Sequence, residues 1–213
     1  MKNCMVRTIL MLSALSCVGP VLAYPTSINI IPSADLMPRG EARIELELDG
    51  DPTPFASGSS LGAYFQVGLT DRLEVGLDAL DLNHEADWQV NLKYQLWTES
   101  EARPAVAVGL MDMDGRRPLE NAYLVLSRQI DQIRVHGGLW RVEGTHGVLG
   151  LEYYWDDLTG GLLDWTSGPE GYGTVGIYRA LGGSLYSTLY YARNNTRESG
   201  DFVGLNVYSE FAW

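Results

Sequence analysis

Over much of the chain hydrophobic and polar residues alternate one for one, the period of an extended strand and not of a helix. Between residues 41 and 49, Ala42, Ile44, Leu46 and Leu48 share one face, and Glu41, Arg43, Glu45, Glu47 and Asp49 share the other. Between 88 and 97, Trp88, Val90, Leu92, Tyr94 and Leu96 oppose Gln89, Asn91, Lys93 and Gln95. Similar alternation marks 61–69, 73–81, 105–111, 122–128, 133–142, 148–156, 172–181, 184–192 and 201–213. Most of the segments are about nine to eleven residues long, which is what a tilted strand needs to cross a hydrocarbon core. The last one sets Val203, Leu205, Val207, Phe211 and Trp213 on one face, interrupted by Ser209, against Asn206, Tyr208 and Glu210.

Connection lengths add a parity test. Tight turns fall at 70–71, 130–132 and 181–183, a somewhat longer one at 98–102, and longer loops at 50–60, 112–119 and 194–200. In a barrel with short turns at one rim and long loops at the other, strand direction alternates. Counting from the N-terminal side, 148–156 runs towards the short-turn rim; counting back from Trp213, so does 172–181. A strand of opposite direction must lie between them, and 161–167 is the only place for it, with 156–160 as its turn. The pattern therefore predicts an all-β chain forming a single transmembrane antiparallel β-barrel of about twelve strands, within a range of roughly 10–14. A secreted two-sheet sandwich also buries one face of each strand. It accounts less well for the terminal aromatic and for so many strands with few long connections.

Composition sharpens the compartment. Residues 1–23 have the form of a cleaved secretory signal peptide, with Lys2 and Arg7 ahead of an apolar run and Val21-Leu22-Ala23 at the cleavage site. The alternative, lipidation of Cys17, would need a different residue pattern at Ala14-Leu15-Ser16. Both cysteines, Cys4 and Cys17, fall in the removed segment, so neither a disulfide nor a cysteine-based site is expected. The expected organisation is 1–23 signal peptide, 24–39 an extended segment and possible plug with three prolines, and 40–213 the barrel. No later stretch is apolar enough for a membrane helix. Removing Lys2 and Arg7 leaves thirteen basic against 27 acidic residues, a net charge of −14, which argues against nucleic acid as a partner.

Two resemblances follow. The alternating strand ending in Trp213 resembles the C-terminal assembly signal of bacterial outer-membrane barrels, with Val203, Leu205, Val207, Phe211 and Trp213 as its apolar face. That likeness implies insertion into the bacterial outer membrane by the barrel assembly machinery, with membrane lipid and lipopolysaccharide as surroundings. The segment Gly68-Leu69-Thr70-Asp71-Arg72-Leu73-Glu74-Val75-Gly76-Leu77, with the opening Ile31-Pro32-Ser33-Ala34-Asp35-Leu36-Met37-Pro38-Arg39-Gly40, resembles small Gram-negative outer-membrane barrels, among them the MetA-pathway phenol-degradation transporter-like families. This implies a porin-like transport role and leaves the solute and the oligomeric state open.

Strand parity also sorts the candidate lumen. Glu41, Glu45, Glu47, Glu74, Asp78 and Glu152 face inward with Arg43, Lys93, Arg134 and His136. Gln89, Asn91, Gln95, Tyr154, Tyr186 and Tyr190 lie on the same side. An acidic, tyrosine-lined lumen favours small polar or cationic solutes if it is open. If it is filled, the acids pair with the inward cations and tyrosine hydroxyls, and the barrel is a structural or surface-interaction element, such as an accessory to polysaccharide export. A lipid-modifying hydrolase is a third reading. Its bases would be His84 and His146, placed in outer loops, and the inward His136, but no serine sits in a nucleophile-elbow context. The turn Asp112-Met113-Asp114-Gly115 with Glu120 misses calcium-loop spacing and reads as an acidic turn. No enzyme activity, cofactor or metal is expected.

Overall fold

The computed structural model describes residues 27–51, 59–113, 121–197 and 200–213. The segment 1–23, the start of the 24–39 segment and most of the acidic turn near Gly115 lie outside them. Twelve strands form one closed antiparallel barrel: β1 (Glu41–Gly50), β2 (Ser60–Thr70), β3 (Leu73–Leu80), β4 (Asp87–Trp97), β5 (Ala105–Met113), β6 (Ala122–Ile130), β7 (Ile133–Arg141), β8 (Thr145–Asp156), β9 (Thr159–Thr166), β10 (Tyr172–Gly182), β11 (Leu185–Asn194) and β12 (Phe202–Ala212). Each strand pairs with its sequence neighbours, and β1 closes on β12 from Glu41↔Ala212 to Gly50↔Val203. Closure leaves no unpaired sheet edge, the condition for a sheet in lipid.

Strand β9 occupies the place that parity requires. Its turn from β8 is tighter than 156–160: β8 ends at Asp156 and β9 begins at Thr159, with the Leu158 N–H donating to Asp156 Oδ1 at 2.8 Å. The β6–β7 turn is a two-residue connection in which Asp131 adopts a φ of 52°, a left-handed conformation that aspartate tolerates.

The barrel is inverted relative to a soluble protein. Ile44, Leu46, Leu139, Leu149, Val175, Ile177 and Leu189 are each at least half exposed on its outside. Trp88 and Trp165 stand outward near the loop rim, and Trp97, Trp155, Phe211 and Trp213 near the turn rim. An apolar band between two aromatic girdles is the surface a hydrocarbon core with two interfaces selects. Val203, Leu205 and Val207 lie on the outward face of β12, and the Trp213 N–H donates to Gly40 O at 2.9 Å beside the β1 junction.

Residues 27–39 are not a strand of the wall; they run inside it. Ile28, Ile31, Ala34 and Met37 are almost fully buried, and Ile28, Ile31 and Ala34 pack with Ala105, Ala107, Tyr123, Val125, Val148 and Leu162 of β5, β6, β8 and β9. Glycines make room for this approach. A Cβ on Gly68 would lie 2.1 Å from Pro38 O, and one on Gly150 would lie 2.3 Å from Ile28 Cδ1.

Candidate functional site

The inward polar residues fall into two groups, divided by whether residues 27–39 satisfy them. On the first side the segment is bound strand by strand. Near the loop rim Asp164 of β9 accepts from the backbone N–H groups of Asn29 and Ile30, both at 2.9 Å, and from the Thr174 hydroxyl at 2.5 Å. The Asn29 amide donates to Thr174 Oγ1 at 2.7 Å. Lower down, Gln95 donates to Ala34 O at 2.8 Å, Lys93 to Asp35 O at 3.0 Å, and the Met37 N–H to Glu74 Oε2 at 2.7 Å. Arg134 grips Asp35 with two parallel bonds of 2.9 and 2.5 Å and holds Glu99 at 2.9 Å with its remaining arm. Such a fork fixes orientation as well as charge.

Between these contacts lies a serine, a histidine and a glutamate in line. Ser127 Oγ is 2.8 Å from His136 Nδ1, and His136 Nε2 is 2.8 Å from Glu152 Oε1. The Tyr154 hydroxyl donates to Glu152 Oε2 at 2.6 Å, and the Ala34 N–H donates to Ser127 Oγ at 2.8 Å. With the imidazole proton on Nε2, every member of the chain is satisfied: Nε2–H donates to the carboxylate, the serine hydroxyl donates to Nδ1, and its oxygen accepts from Ala34. Hydrolases use these residue types, but this serine is fully buried beneath the segment and its oxygen is already occupied. No substrate carbonyl can reach it in this arrangement, and the geometry is that of a latch. Ligand atoms of Asp35, His136 and Glu152 lie within 4.8 Å of one another, close enough to surround a metal ion. Each of these groups already has a protein partner: Arg134 for Asp35, and His136 and Glu152 for each other.

The second side belongs to β1–β4, β11 and β12 and surrounds a cavity of about 320 Å³. Glu45, Glu47, Asp49, Asp78, Asn91, Tyr64, Tyr190 and Asn206 line it. Glu47 accepts from the hydroxyls of Tyr64 at 2.7 Å and Tyr190 at 2.5 Å. Asn91 donates to Asp78 at 2.5 Å, and Asn206 donates to Glu45 at 2.5 Å. Towards the turn rim the lumen narrows. Arg43 pairs with Glu210 and lies over the ring of Tyr208, 4.3 Å from its centroid, while Tyr178, Tyr186 and Tyr208 stack with centroids 6.0 and 5.3 Å apart. The space beside them holds only about 20 Å³, enough for roughly one water.

Of the residues placed inward by parity, His136, Glu152 and Tyr154 meet in the latch, and Arg134, Glu74, Lys93 and Gln95 hold the segment's lower half. Glu45, Glu47, Asp78, Asn91 and Tyr190 line the open cavity, and Arg43 and Tyr186 close its base. Glu41 begins β1 at the turn rim and Gln89 sits near the loop rim bonded to Asp87, so neither joins a cluster. One placement is corrected. His146 is not in a loop: it is the second residue of β8, half-buried, with its ring nitrogens 2.7 Å from Ser167 O and 3.0 Å from Val142 O. His84 is exposed and pairs with Asp81. The candidate lumen set left out Ser127 and Asp164, and also Asn206, although alternation sets Asn206 on the polar face of the last segment. A two-residue turn pairing Ile130 with Ile133 sets Ser127 opposite His136, and that register was a usable signal.

A family model described as Exopolysaccharide biosynthesis protein YbjH matches residues 31–155, more than half of the chain and inclusive of the Gly68 turn. No curated protein matches. Among solved structures, Acinetobacter baumannii Omp33 superposes with a TM-score of 0.54 at 10% identity, covering 80% of this chain and 97% of that one. The KdgM porin gives a TM-score of 0.54 at 10% identity over 80% of this chain and 99% of its own. The NanC porin gives 0.52 at 8% identity over 81% and 100%. At such identities the likeness is one of fold: a small outer-membrane-type β-barrel.

Proposed function

The chain belongs to the family described as Exopolysaccharide biosynthesis protein YbjH, and from that premise we propose that it is an outer-membrane barrel of exopolysaccharide production whose lumen is a gated passage for small polar or cationic solutes. The carrying observation is the location of residues 27–39 inside the wall, held by the Asp35–Arg134 pair and the Ser127–His136–Glu152 latch. They fill one side of the lumen and leave an acidic vestibule on the other. The apolar band and aromatic girdles support residence among outer-membrane lipid and lipopolysaccharide, and the outward face of β12 supports delivery by the barrel assembly machinery. The likeness of residues 68–77 to MetA-pathway transporter-like barrels is compatible with solute passage and names no solute.

Planar-bilayer conductance of the refolded protein tests the gate. The native chain is expected to pass little current, and Asp35→Asn with Arg134→Gln is expected to raise it. Steady porin-sized current from the native chain would make the lumen a free pore. Absence of current from every correctly folded variant would favour the second reading, a closed structural barrel accessory to polysaccharide export, which the density of the latch supports.

A further inference from the structure

At the loop rim a cleft of about 480 Å³ opens between β7, β8, β9, β10 and β12, a volume in the range of small-molecule sites. Trp140, Tyr172 and Phe202 give it an aromatic lining. Two polar groups at its wall have no hydrogen-bond partner among the described residues: Trp140 Nε1, a donor, and Thr166 Oγ1, on a residue 8% exposed. Ile30 and Phe202 line both this cleft and the acidic vestibule below, so the two spaces adjoin. An aromatic series connects them. Tyr172 meets Phe202 edge to face at 5.2 Å, Phe202 meets Tyr190 at 6.0 Å, and the Tyr190 hydroxyl ends on Glu47.

The vestibule is rich in acceptors: Glu45, Glu47, Asp49, Glu74 and Asp78 line it with a single cation, Lys93, which pairs with Glu74. The oxygens of Glu47 meet two tyrosine hydroxyls, and neither Glu47 nor Asp49 forms an ion pair among the described residues. Asn206, 9% exposed, lines the same cavity, gives its amide N–H to Glu45 and has a carbonyl oxygen with no partner among the described residues. Buried acceptors without donors are costly, and a ligand that supplies donors recovers that cost. The occupant that fits both spaces has flat apolar ring faces for the aromatics, hydroxyls for Thr166 and Trp140, and a cationic N–H group for Glu47, Asp49 and the Asn206 oxygen. Aromatic faces also attract ammonium groups.

We propose that this continuous cleft and vestibule is a binding site for a short saccharide bearing free, protonated amines. The proposal rests on the preceding reading only in taking the lumen to be reachable from the loop rim; it requires no passage through the barrel.

Titration calorimetry of the full detergent-solubilised chain with a glucosamine trimer tests it, with the N-acetylated trimer, maltotriose and spermidine as comparisons. The glucosamine trimer is expected to bind, with N-acetylation weakening it roughly tenfold or more, the scale of losing one charge-assisted contact. Glu47→Gln and, separately, Phe202→Ala are each expected to weaken it while the β-sheet circular dichroism is unchanged. Asp49→Asn, further from the tyrosine hydroxyls, serves if Glu47→Gln fails to fold. Equal binding of maltotriose or the N-acetylated trimer would overturn the ammonium requirement. Binding of spermidine alone would overturn the saccharide, and binding of none would overturn the site. Binding without conductance in any variant would sink the passage and leave this site standing; conductance without binding would do the reverse.

Discussion

The two sides of the lumen are built from similar residues and reach opposite outcomes. On the side of β5 to β10, Ser127, His136, Glu152 and Asp164 are all deeply buried and find partners in one another or in the backbone of residues 27–39, and Arg134 finds one in Asp35. On the side of β1 to β3, β11 and β12, Glu45, Glu47 and Asn206 find partners chiefly in neighbouring strands, and an acceptor is left over. An inward polar face is therefore not a function in itself. It becomes a filled wall or a binding surface according to whether a second piece of chain arrives to match it.

The contrast breaks most strongly at Arg134. Arg134→Leu removes the cation facing Asp35 and strands that carboxylate, while Glu99 keeps Arg128 and the Gln129 N–H; breaking such a buried pair is expected to cost about 3–5 kcal/mol, with loss of heat-resistant mobility on gels and earlier thermal unfolding as the readouts. Unchanged stability would mean that the segment is held elsewhere. A comparable test of the outside is Leu149→Arg. It places a charge on the lipid face, where about 2–4 kcal/mol is expected near the midplane, measurable by folding titration into bilayers, without disturbing the latch.

Gly68→Val asks whether the segment's position matters independently of its charges. Its side chain would overlap Pro38 O and push the segment off β2, so enhanced protease cleavage within residues 27–39 is expected while the twelve strands persist. Ser127→Ala is milder: it removes one acceptor from the Ala34 N–H and one donor to His136, a loss of about 1–3 kcal/mol, read as a lower unfolding midpoint. The smallest effect lies outside the membrane. The Tyr191 hydroxyl, 2.5 Å from Asp201, holds that carboxyl below its ordinary value. A depressed acid stabilises the fold above its unfolded pKa and loses that contribution as pH falls through the folded one. Tyr191→Phe should therefore raise the Asp201 titration seen by NMR and slightly reduce acid tolerance below about pH 4.

Much of this was legible along the chain. Period-two alternation separates outward Ile44, Leu46 and Leu149 from inward Arg43, Glu45 and Glu152, because a pleated strand offers only two faces. Connection parity called for a strand near 161–167, which Gly160 and Gly161 had masked by interrupting the alternation. The latch was harder to read, since Ser127, His136 and Glu152 are ordinary inward residues until register sets the first two opposite each other and the third diagonally across. Asp164 stayed hidden because its strand was the weakest in pattern.

By itself, then, the sequence determined an antiparallel closed barrel of about twelve strands, within roughly 10–14, its lipid-facing surface and the acidity of its interior. All of these follow from local periodicity and from the need to pair every backbone group in lipid. Only the tertiary structure decided what occupies that interior. Residues 27–39 have no period of their own, and their place is set by contacts with Asp164, Ser127, Gln95 and Arg134, whose convergence depends on barrel closure and register. The same closure leaves Glu47, Asp49 and Asn206 around an unfilled vestibule, a difference between two walls that alternate alike.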